Sequence, residues 1–346
     1  MTIVHIDTGM GWRGGQSQAM MLMEGLSSYY KCNIILIAKK GSMIAEKARA
    51  AKIECLEIPA RFEADLPSAF KIAQLNSKKQ PAFLHAHTPH GLGLAIMATK
   101  IGTRVPILYT RRVSFAIPKH LANKWKLKQA TRIIAVSSAV AKELMKAGVP
   151  SEKLQIIHSA VDTSKFQYHG PDLTKPYSIA VLGSIEKQKG IEMAMQFIEL
   201  ASNLPVIFHF SGTGPLLAKL ENFAQERSNV KVHGFVSNIP EFLQKMFGAI
   251  TFSPSEGFPN MVLQSMASGL PVLAYANEPI REIITGPEYG TVFRTNDEAL
   301  AALQAYIAQS DYASETGKRA SEFVSNRFSH KQMVEKTYQL YRELAS

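Results

Sequence analysis

Residues 249–274 of the chain read AITFSPSEGFPNMVLQSMASGLPVLA. Two short apolar runs, Ala249 to Phe252 and Val272 to Ala274, enclose a glycine turn and a helical segment that is expected to begin near Asn260. Apolar runs of this length, bounded by Gly and Pro, are typical of buried strands. A strand, a helix and a second strand joined in this way form a βαβ unit, so the stretch predicts a parallel sheet covered by helices.

The same alternation of strand-like runs and helical patterns extends over most of the chain. Seven strand-like runs lie within residues 3–157 and six within 178–293, and a polar stretch at 162–177 separates the two series. We therefore expect the α/β class, with two Rossmann-like, doubly wound domains facing each other across a cleft. The expected boundaries are a first domain over 1–165, a linker over 166–177, a second domain over 178–328 and a C-terminal helix over 329–346 that packs back on the first domain.

The composition is that of a globular protein. The chain has 346 residues, of which 46% are hydrophobic and 19% charged, which suits about two domains and excludes a disordered or fibrous protein. Cys32 and Cys55 are the only cysteines and form neither a disulfide framework nor a zinc-ligand spacing. The first residues do not resemble a signal peptide, and no apolar run is long enough to span a bilayer. These observations favour a cytoplasmic location.

The formal net charge of +11 is concentrated in the first half of the chain. Residues 1–165 contain 24 Lys and Arg against 10 Asp and Glu, whereas residues 166–346 carry a small negative charge. Such an excess suits a polyanion, an anionic membrane or a phosphorylated substrate. We expect Arg111 and Arg112 to hold a phosphorylated acceptor.

One segment of this half has the spacing of an amphipathic helix. Ile117, Leu121 and Trp125 recur every four residues among several lysines, namely Lys119, Lys124, Lys126 and Lys128. The stripe can lie among lipid headgroups, or it can be the packed edge of an ordinary helix.

Glycine turns follow several predicted strands, where backbone N–H groups at a helix start can bind an anion. Gly9, Gly11 and Gly14 match G-x-G-x-x-G, which is compatible with a nicotinamide enzyme, a structural turn or a loop that contacts a phosphate or sugar. The second strand ends without the acidic residue that a nicotinamide cofactor needs for its ribose. In the second series, Lys189 stands near the start of a helix, where it can reach a phosphate or can be an ordinary solvated lysine.

Two histidines, His85 and His87, end the fourth predicted strand and share one of its faces. They could be core residues, metal ligands or donors of hydrogen bonds to a sugar in the cleft. A third metal ligand is not evident in the sequence.

The order and spacing of these motifs resemble the family 4 retaining glycosyltransferases, which use nucleotide sugars and have the GT-B fold. The resemblance covers nearly the whole chain. Its carriers are Gly14-Gly15-Gln16, His85-Ala86-His87, Ile134 to Ser137, Ile156 to Asp162, Lys189-Gly190, Gly212 to Leu216 and Pro254 to Val272.

The resemblance implies a catalytic group of three residues. Glu256 contacts hydroxyls of the donor sugar, Lys189 binds the diphosphate and His87 contacts the sugar. The implied donor-binding residues are Gly14, Gly15, Ser184, Lys187, Gly212, Gly234, Phe235, Val236, Gly257, Phe258, Pro259, Asn260, Met261 and Gln264.

The chain departs from the family pattern at two positions. Gln264 stands where the family has the second glutamate of its E-x7-E motif, and Ser184 stands where an arginine is usual beside the diphosphate lysine. An amide still accepts a ribose hydrogen bond, and Lys187 can supply a point charge in place of the arginine. The departures point to an altered donor choice or to an inactive relative.

The implied function is transfer of a sugar, with retention, from a nucleotide-diphosphate sugar to a lipid-linked or lipopolysaccharide-type acceptor. No cofactor is implied, and without an Asp-x-Asp motif no metal is implied either. The expected partners are the donor, the lipid-linked or saccharide acceptor and the anionic inner face of the cytoplasmic membrane. The alternatives are a nucleotide-sugar epimerase on the same fold and a degenerate nucleotide-sugar-binding relative; a nucleic-acid-binding protein is not favoured, because no known binding module is present.

Overall fold

The computed structural model describes residues 1–102, 104–118 and 121–345. They form two compact units, one of Met1–Ala160 with His330–Ser346 and one of Val161–Ser329. The stretch over 166–177 belongs to the second unit, where the amides of His169 and Gly170 donate to the carbonyl oxygen of Ser268 at 3.1 and 3.3 Å.

A seven-stranded parallel sheet forms the centre of the first unit. Its strands are β1 (Thr2–Asp7), β2 (Asn33–Lys39), β3 (Glu54–Ile58), β4 (Phe83–Ala86), β5 (Ile107–Arg111), β6 (Arg132–Ala135) and β7 (Leu154–Ile156). They lie in the order β3-β2-β1-β4-β5-β6-β7, and every pair is parallel. The order reverses between β1 and β4, so the carboxyl ends of these two strands flank the point where open α/β sheets bind ligands.

Helices connect these strands and cover both faces of the sheet. They are α1 (Gly14–Tyr30), α2 (Met43–Ala50), α3 (Leu66–Lys79), α4 (Pro89–Ile101), α5 (Leu121–Gln129) and α6 (Ser138–Lys146). Because both faces are covered, the interior of β2 is a continuous apolar run, and residues 34–38 are all buried. Thr88 caps α4 through a hydrogen bond from the amide of Gly91, so this helix begins directly after His87.

The second unit repeats this plan around a six-stranded parallel sheet. Its strands are β8 (Tyr177–Leu182), β9 (Val206–Ser211), β10 (Val230–Val232), β11 (Gly248–Thr251), β12 (Val272–Tyr275) and β13 (Thr291–Phe293). Its helices are α7 (Ile191–Leu200), α8 (Leu217–Gln225), α9 (Ile239–Leu243), α10 (Asn260–Ala267), α11 (Glu278–Ile283), α12 (Asn296–Ala308) and α13 (Ser310–Arg327). The strand order is β10-β9-β8-β11-β12-β13, and it reverses between β8 and β11.

The last helix, α14 (His330–Ala345), belongs to the first unit. It packs so closely on α1 that a side chain in place of Gly25 would collide with Val334. Tyr338 stacks on Tyr30 with ring centroids 3.8 Å apart, and the buried Tyr341 stacks on Phe83 at 5.4 Å. These contacts make α14 part of the first unit's core.

The amphipathic stretch differs from its prediction. Ile117 lies in a loop rather than on the helix, since α5 begins at Leu121 and a residue that precedes a proline, here Pro118, is disfavoured in helical conformation. Lys126 is buried, with its Nζ 2.8 and 2.9 Å from the two carboxylate oxygens of Glu63, and so does not contribute a free surface charge. Lys119 lies outside the described residues. Within the described ranges, no helix combines the length and the apolar character needed to cross a bilayer.

Candidate functional site

An ion pair lies at the carboxyl end of the second sheet. Lys189 ends a short 3-10 turn just before α7, and Glu256 lies in the loop that follows β11. The Lys189 Nζ is 2.7 Å from one carboxylate oxygen of Glu256 and 2.8 Å from the other. The side chains are 29% and 14% exposed, so a ligand could still reach both groups.

Backbone constraints bring the two loops of this pair together. Gly190 has φ +72°, and a side chain there would collide with the carbonyl oxygen of Phe252 at the end of β11. The hydroxyl of Ser253 donates to the carbonyl oxygens of Gln188 (3.3 Å) and Ser255 (3.1 Å). The close packing at this point therefore requires glycine at position 190, and it places Lys189 beside the loop that follows β11.

Glycine loops line the neighbouring strand ends. The amide of Gly212, after β9, donates to the carbonyl oxygen of Gly234 at 2.7 Å, and the amide of Gly183, after β8, donates to Ser211 at 3.1 Å. Gly212 has φ +153°, and a Cβ there would strike the carbonyl oxygen of Gly183. The loops after β8, β9 and β10 thus form a continuous backbone surface, on which Ser184 is half-buried and Phe235 exposed.

The turn before α10 presents the remaining predicted donor residues. Phe258 and Pro259 are buried, and the ring centroids of Phe258 and Phe328 lie 5.5 Å apart. Asn260, Met261 and Gln264, on the first turns of α10, are partly exposed, as is Gly257. Lys187 and Val236 lie on the loops after β8 and β10, with Lys187 exposed. The structure therefore brings the donor residues predicted in this unit to the carboxyl edge of one sheet.

A histidine pair at this edge was not anticipated from the sequence. His209 Nδ1, on β9, lies 3.0 Å from His233 Nε2, just after β10, and the two rings are nearly parallel with centroids 5.2 Å apart. Burial, together with the neighbouring His233 and Lys231, lowers the pKa of His209 to about 4. His233 directly precedes Gly234, one of the predicted donor-binding residues.

The first unit has a cluster of three buried histidines at its sheet reversal. His5, on β1, is the register partner of His85 on β4, and its Nδ1 lies 2.9 Å from His87 Nε2. His85 Nε2 lies 2.7 Å from the hydroxyl of Thr110, and its Nδ1 lies 2.5 Å from that of Tyr341. His5 was missed in the sequence, although its place two residues before the end of the first strand is a usable signal.

Burial keeps these imidazoles neutral. It lowers the pKa of His5 to about 3 and holds those of His85 and His87 well below the usual value, and the nearby charge of Arg112 acts in the same direction. Nitrogens of the three rings lie within 4.8 Å of one another, close enough to consider a metal. His85, however, has both nitrogens engaged by Thr110 and Tyr341, and a guanidinium stands nearby, so the cluster does not fit a cation site.

The glycine loop after β1 is held by Asp7. Its carboxylate accepts hydrogen bonds from the Gly9 amide at 2.8 Å and from Gln16 Nε2 at 3.4 Å. Burial raises the pKa of Asp7, whereas it lowers that of Arg112 to about 10. The Arg112 side chain passes next to Gly15, which with Gly14 begins α1.

Arg111 is buried, and its guanidinium donates to the carbonyl oxygen of Phe115 at 2.5 Å. It therefore holds the loop before α5, whereas Arg112 lies beside the glycine loop.

Two family models match the chain. The model of Glycosyltransferase Family 4 matches residues 12–165, and that of Glycosyl transferases group 1 matches residues 163–323. Among curated relatives, N-acetyl-alpha-D-glucosaminyl L-malate synthase of Bacillus anthracis is 23% identical over 303 residues, which cover 81% of this chain and 79% of the relative. The putative colanic acid biosynthesis glycosyltransferase WcaL of Escherichia coli is 26% identical over 234 residues, 62% of this chain and 55% of WcaL.

Solved structures share the fold. HepE of Anabaena, in complex with UDP-glucose, superposes with a TM-score of 0.85 at 16% identity. The superposition covers 99% of this chain and 100% of HepE. The lipopolysaccharide outer core galactosyltransferase WaaB superposes with a TM-score of 0.76 at 15% identity, over 99% of this chain and 100% of WaaB. The predicted GT-B fold is confirmed, and the chain belongs to the family 4 glycosyltransferases, enzymes of glycosyl transfer.

Proposed function

We propose that the protein transfers a sugar, with retention of anomeric configuration, from a nucleotide-diphosphate sugar to a lipid-linked or lipopolysaccharide-type acceptor of the cell envelope. The observation that carries the donor part is the ion pair of Lys189 and Glu256 at the reversal of the second sheet. An ammonium suits a diphosphate, and a carboxylate accepts hydrogen bonds from sugar hydroxyls. One donor molecule offers both groups.

The reaction requires stabilisation of a leaving group rather than a nucleophile. The bond from the anomeric carbon to the diphosphate oxygen breaks, the acceptor oxygen bonds to that carbon on the same face, and the acceptor proton passes to a leaving phosphate oxygen. Lys189 and the positive end of the α10 dipole stabilise the negative charge that develops there. Glu256, once it releases Lys189, holds the sugar.

The other donor residues surround the nucleotide in this proposal. Gln264 accepts a hydrogen bond from a ribose hydroxyl, Lys187 adds a point charge beside Ser184, and the loop from Gly234 to Val236 meets the base. In the first unit, Gly14 and Gly15 contact the diphosphate and His87 contacts the sugar. The support is their position at the carboxyl edges of the two sheets.

The cell-envelope acceptor is supported by relatives. WcaL is named for colanic acid biosynthesis and WaaB for the lipopolysaccharide outer core, and HepE was crystallised with UDP-glucose. We assign Arg112, beside the Gly15 loop, to a phosphate of the acceptor, with Arg111 holding the adjacent loop.

An apolar surface of the first unit supports attachment to the anionic inner face of the cytoplasmic membrane. Leu121 and Trp125 on α5 are 86% and 46% exposed, and Lys100 Nζ lies 4.5 Å over the Trp125 ring. The Glu63–Lys126 ion pair ties this helix to the segment before α3. That segment and α3 carry three further exposed apolar side chains, Phe62, Leu66 and Phe70. Lysines beside apolar and aromatic side chains suit an anionic bilayer.

A panel of UDP-, GDP- and ADP-sugars tests the proposal directly. We expect one nucleotide to raise the thermal midpoint, and its sugar to appear on an isolated lipid-linked saccharide with unchanged anomeric configuration by NMR. Binding without turnover would identify a degenerate relative, and sugar interconversion without acceptor would identify an epimerase. Absence of binding by every nucleotide would reject the proposal.

A further inference from the structure

His5 and His87 form a direct ring-to-ring hydrogen bond inside the first unit. His5 Nδ1 lies 2.9 Å from His87 Nε2, and the ring planes are 2° apart with centroids at 5.2 Å. Parallel rings at this separation lie side by side, as such a bond requires. His5 is fully buried and His87 is 6% exposed.

Each ring has one further nitrogen, and neither of these has a partner among the described residues. They are His5 Nε2 and His87 Nδ1. His85 cannot supply one, because Thr110 and Tyr341 engage both of its nitrogens. Burial keeps both rings neutral, so each carries one N–H, and the shared bond makes the two protonation choices depend on each other.

Only two arrangements satisfy the bond. Either His5 Nδ1–H donates and His87 carries its hydrogen on Nδ1, or His87 Nε2–H donates and His5 carries its hydrogen on Nε2. Both unpartnered nitrogens are buried, so each arrangement leaves one N–H that needs a partner. In the second arrangement that N–H lies on His5, a fully buried ring inside β1 that a ligand cannot reach, whereas His87 keeps 6% exposure. The first places the N–H on His87, at the end of β4.

We propose that His5 is a positioning residue that holds His87 as its Nδ1–H tautomer, so that His87 can only donate, not accept, a hydrogen bond to an oxygen of the bound sugar or acceptor. This inference rests on the proposed contact of His87 with substrate. His5 acts through His87 and does not touch the reacting atoms.

The tautomer can be read without any substrate. In the full chain labelled with 15N-histidine, and with His87 signals assigned by their loss in His87→Gln, we expect the His87 Nδ1 shift of a protonated nitrogen and the Nε2 shift of an unprotonated one. His5→Asn, whose amide nitrogen takes the place of Nδ1, should preserve this pattern, whereas His5→Leu should abolish it. Thr110→Val, which removes a partner of His85 only, is the matched control and should leave His87 unchanged.

A His87 protonated on Nε2 in the unaltered protein, or an Nδ1–H pattern retained in His5→Leu, would overturn the proposal. If His5→Leu does not fold, His5→Gln gives the same test, because its longer amide mimics Nε2 and cannot reach His87 in the same way. With an active donor, we expect kcat to fall about tenfold in His5→Leu and in His5→Gln and to recover in His5→Asn. The donor KM should change less than twofold in all three variants. Failure of transfer with every donor would reject the proposed function while leaving the tautomer result intact.

Discussion

Lys189 and Glu256 lie 67 residues apart in the chain and meet through both carboxylate oxygens, at 2.7 and 2.8 Å from the lysine nitrogen. Each neutralises the other in a partly buried position, where an unpaired charge would be unfavourable. A diphosphate would compete with Glu256 for the ammonium, and the sugar hydroxyls would then replace the lysine on Glu256. Donor binding in the proposed function is therefore an exchange of partners within one ion pair.

Glu256→Gln should separate nucleotide binding from turnover. The amide keeps the shape of the side chain but no longer competes for Lys189, so the stabilising nucleoside diphosphate should bind at least as tightly as before. Transfer should fall about 10- to 100-fold, since a hydrogen bond to a charged group contributes about 1.5–3 kcal/mol. Isothermal titration calorimetry and initial rates of transfer measure the two effects.

Lys189→Ala should have the opposite signature, with nucleoside diphosphate affinity reduced about 10- to 100-fold for the same reason. Lys318→Ala, at an exposed lysine of α13, is the matched control and should bind normally. If Glu256→Gln weakened the nucleotide as much as Lys189→Ala, the pair would serve to hold the two loops rather than the donor.

Gln264→Glu should tighten binding of the nucleoside diphosphate. Gln264 is partly exposed on α10 behind the Gly257 turn, in the place where the family has its second glutamate. A carboxylate accepts a ribose hydrogen bond about twice as strongly as an amide, which corresponds to a gain of about fivefold in affinity. Calorimetry with the nucleoside diphosphate measures the gain. Gln244→Glu, at an exposed residue that directly follows α9, controls for the added charge. An unchanged or weaker affinity would show that Gln264 does not meet the ribose.

The sequence predicted the sheets well because parallel strands buried on both faces are continuous apolar runs. The run at 34–38 and the paired runs of residues 249–274 all became strands near the expected positions. The carboxyl-edge position of Lys189 and Glu256 followed from their place after strands. Their ion pair did not, because it depends on the Gly190 turn against Phe252, a contact between distant segments. The His5–His87 bond likewise requires the β1–β4 pairing, which local patterns do not specify.

The buried histidines predict a loss of stability in acid. The pKa of His5 is lowered to about 3, and those of His85 and His87 lie well below the value of 6.5 that an unburied imidazole has. Below about pH 6.5 the unfolded chain therefore binds more protons than the folded protein, so the free energy of unfolding falls as the pH falls. Each histidine contributes a slope of up to about 1.4 kcal/mol per pH unit. Urea unfolding between about pH 7.5 and about pH 4.5 measures this pH dependence of the free energy of unfolding.

His5→Asn should flatten this dependence by up to the slope of one histidine, about 1.4 kcal/mol per pH unit at about pH 5. His158→Asn, at a partly exposed histidine of the same unit, should retain the steep dependence. A slope equally steep in His5→Asn would mean that the acid response arises from other groups.

Paired substitution of Leu121 and Trp125 by Ser should detach the protein from anionic vesicles. Both side chains are exposed on α5, and burying each in a headgroup region gains about 1.5–3 kcal/mol, so partitioning should fall at least about tenfold. Lys124→Gln and Lys128→Gln should each cost about 1 kcal/mol of binding and reduce its salt dependence, whereas Lys126, held by Glu63, is not expected to contribute. Leu200→Ser, at an exposed leucine of the second unit, is the control, and nucleotide affinity should stay constant throughout. Vesicle binding that survives the paired substitution would assign α5 to ordinary packing and would require another surface for the membrane.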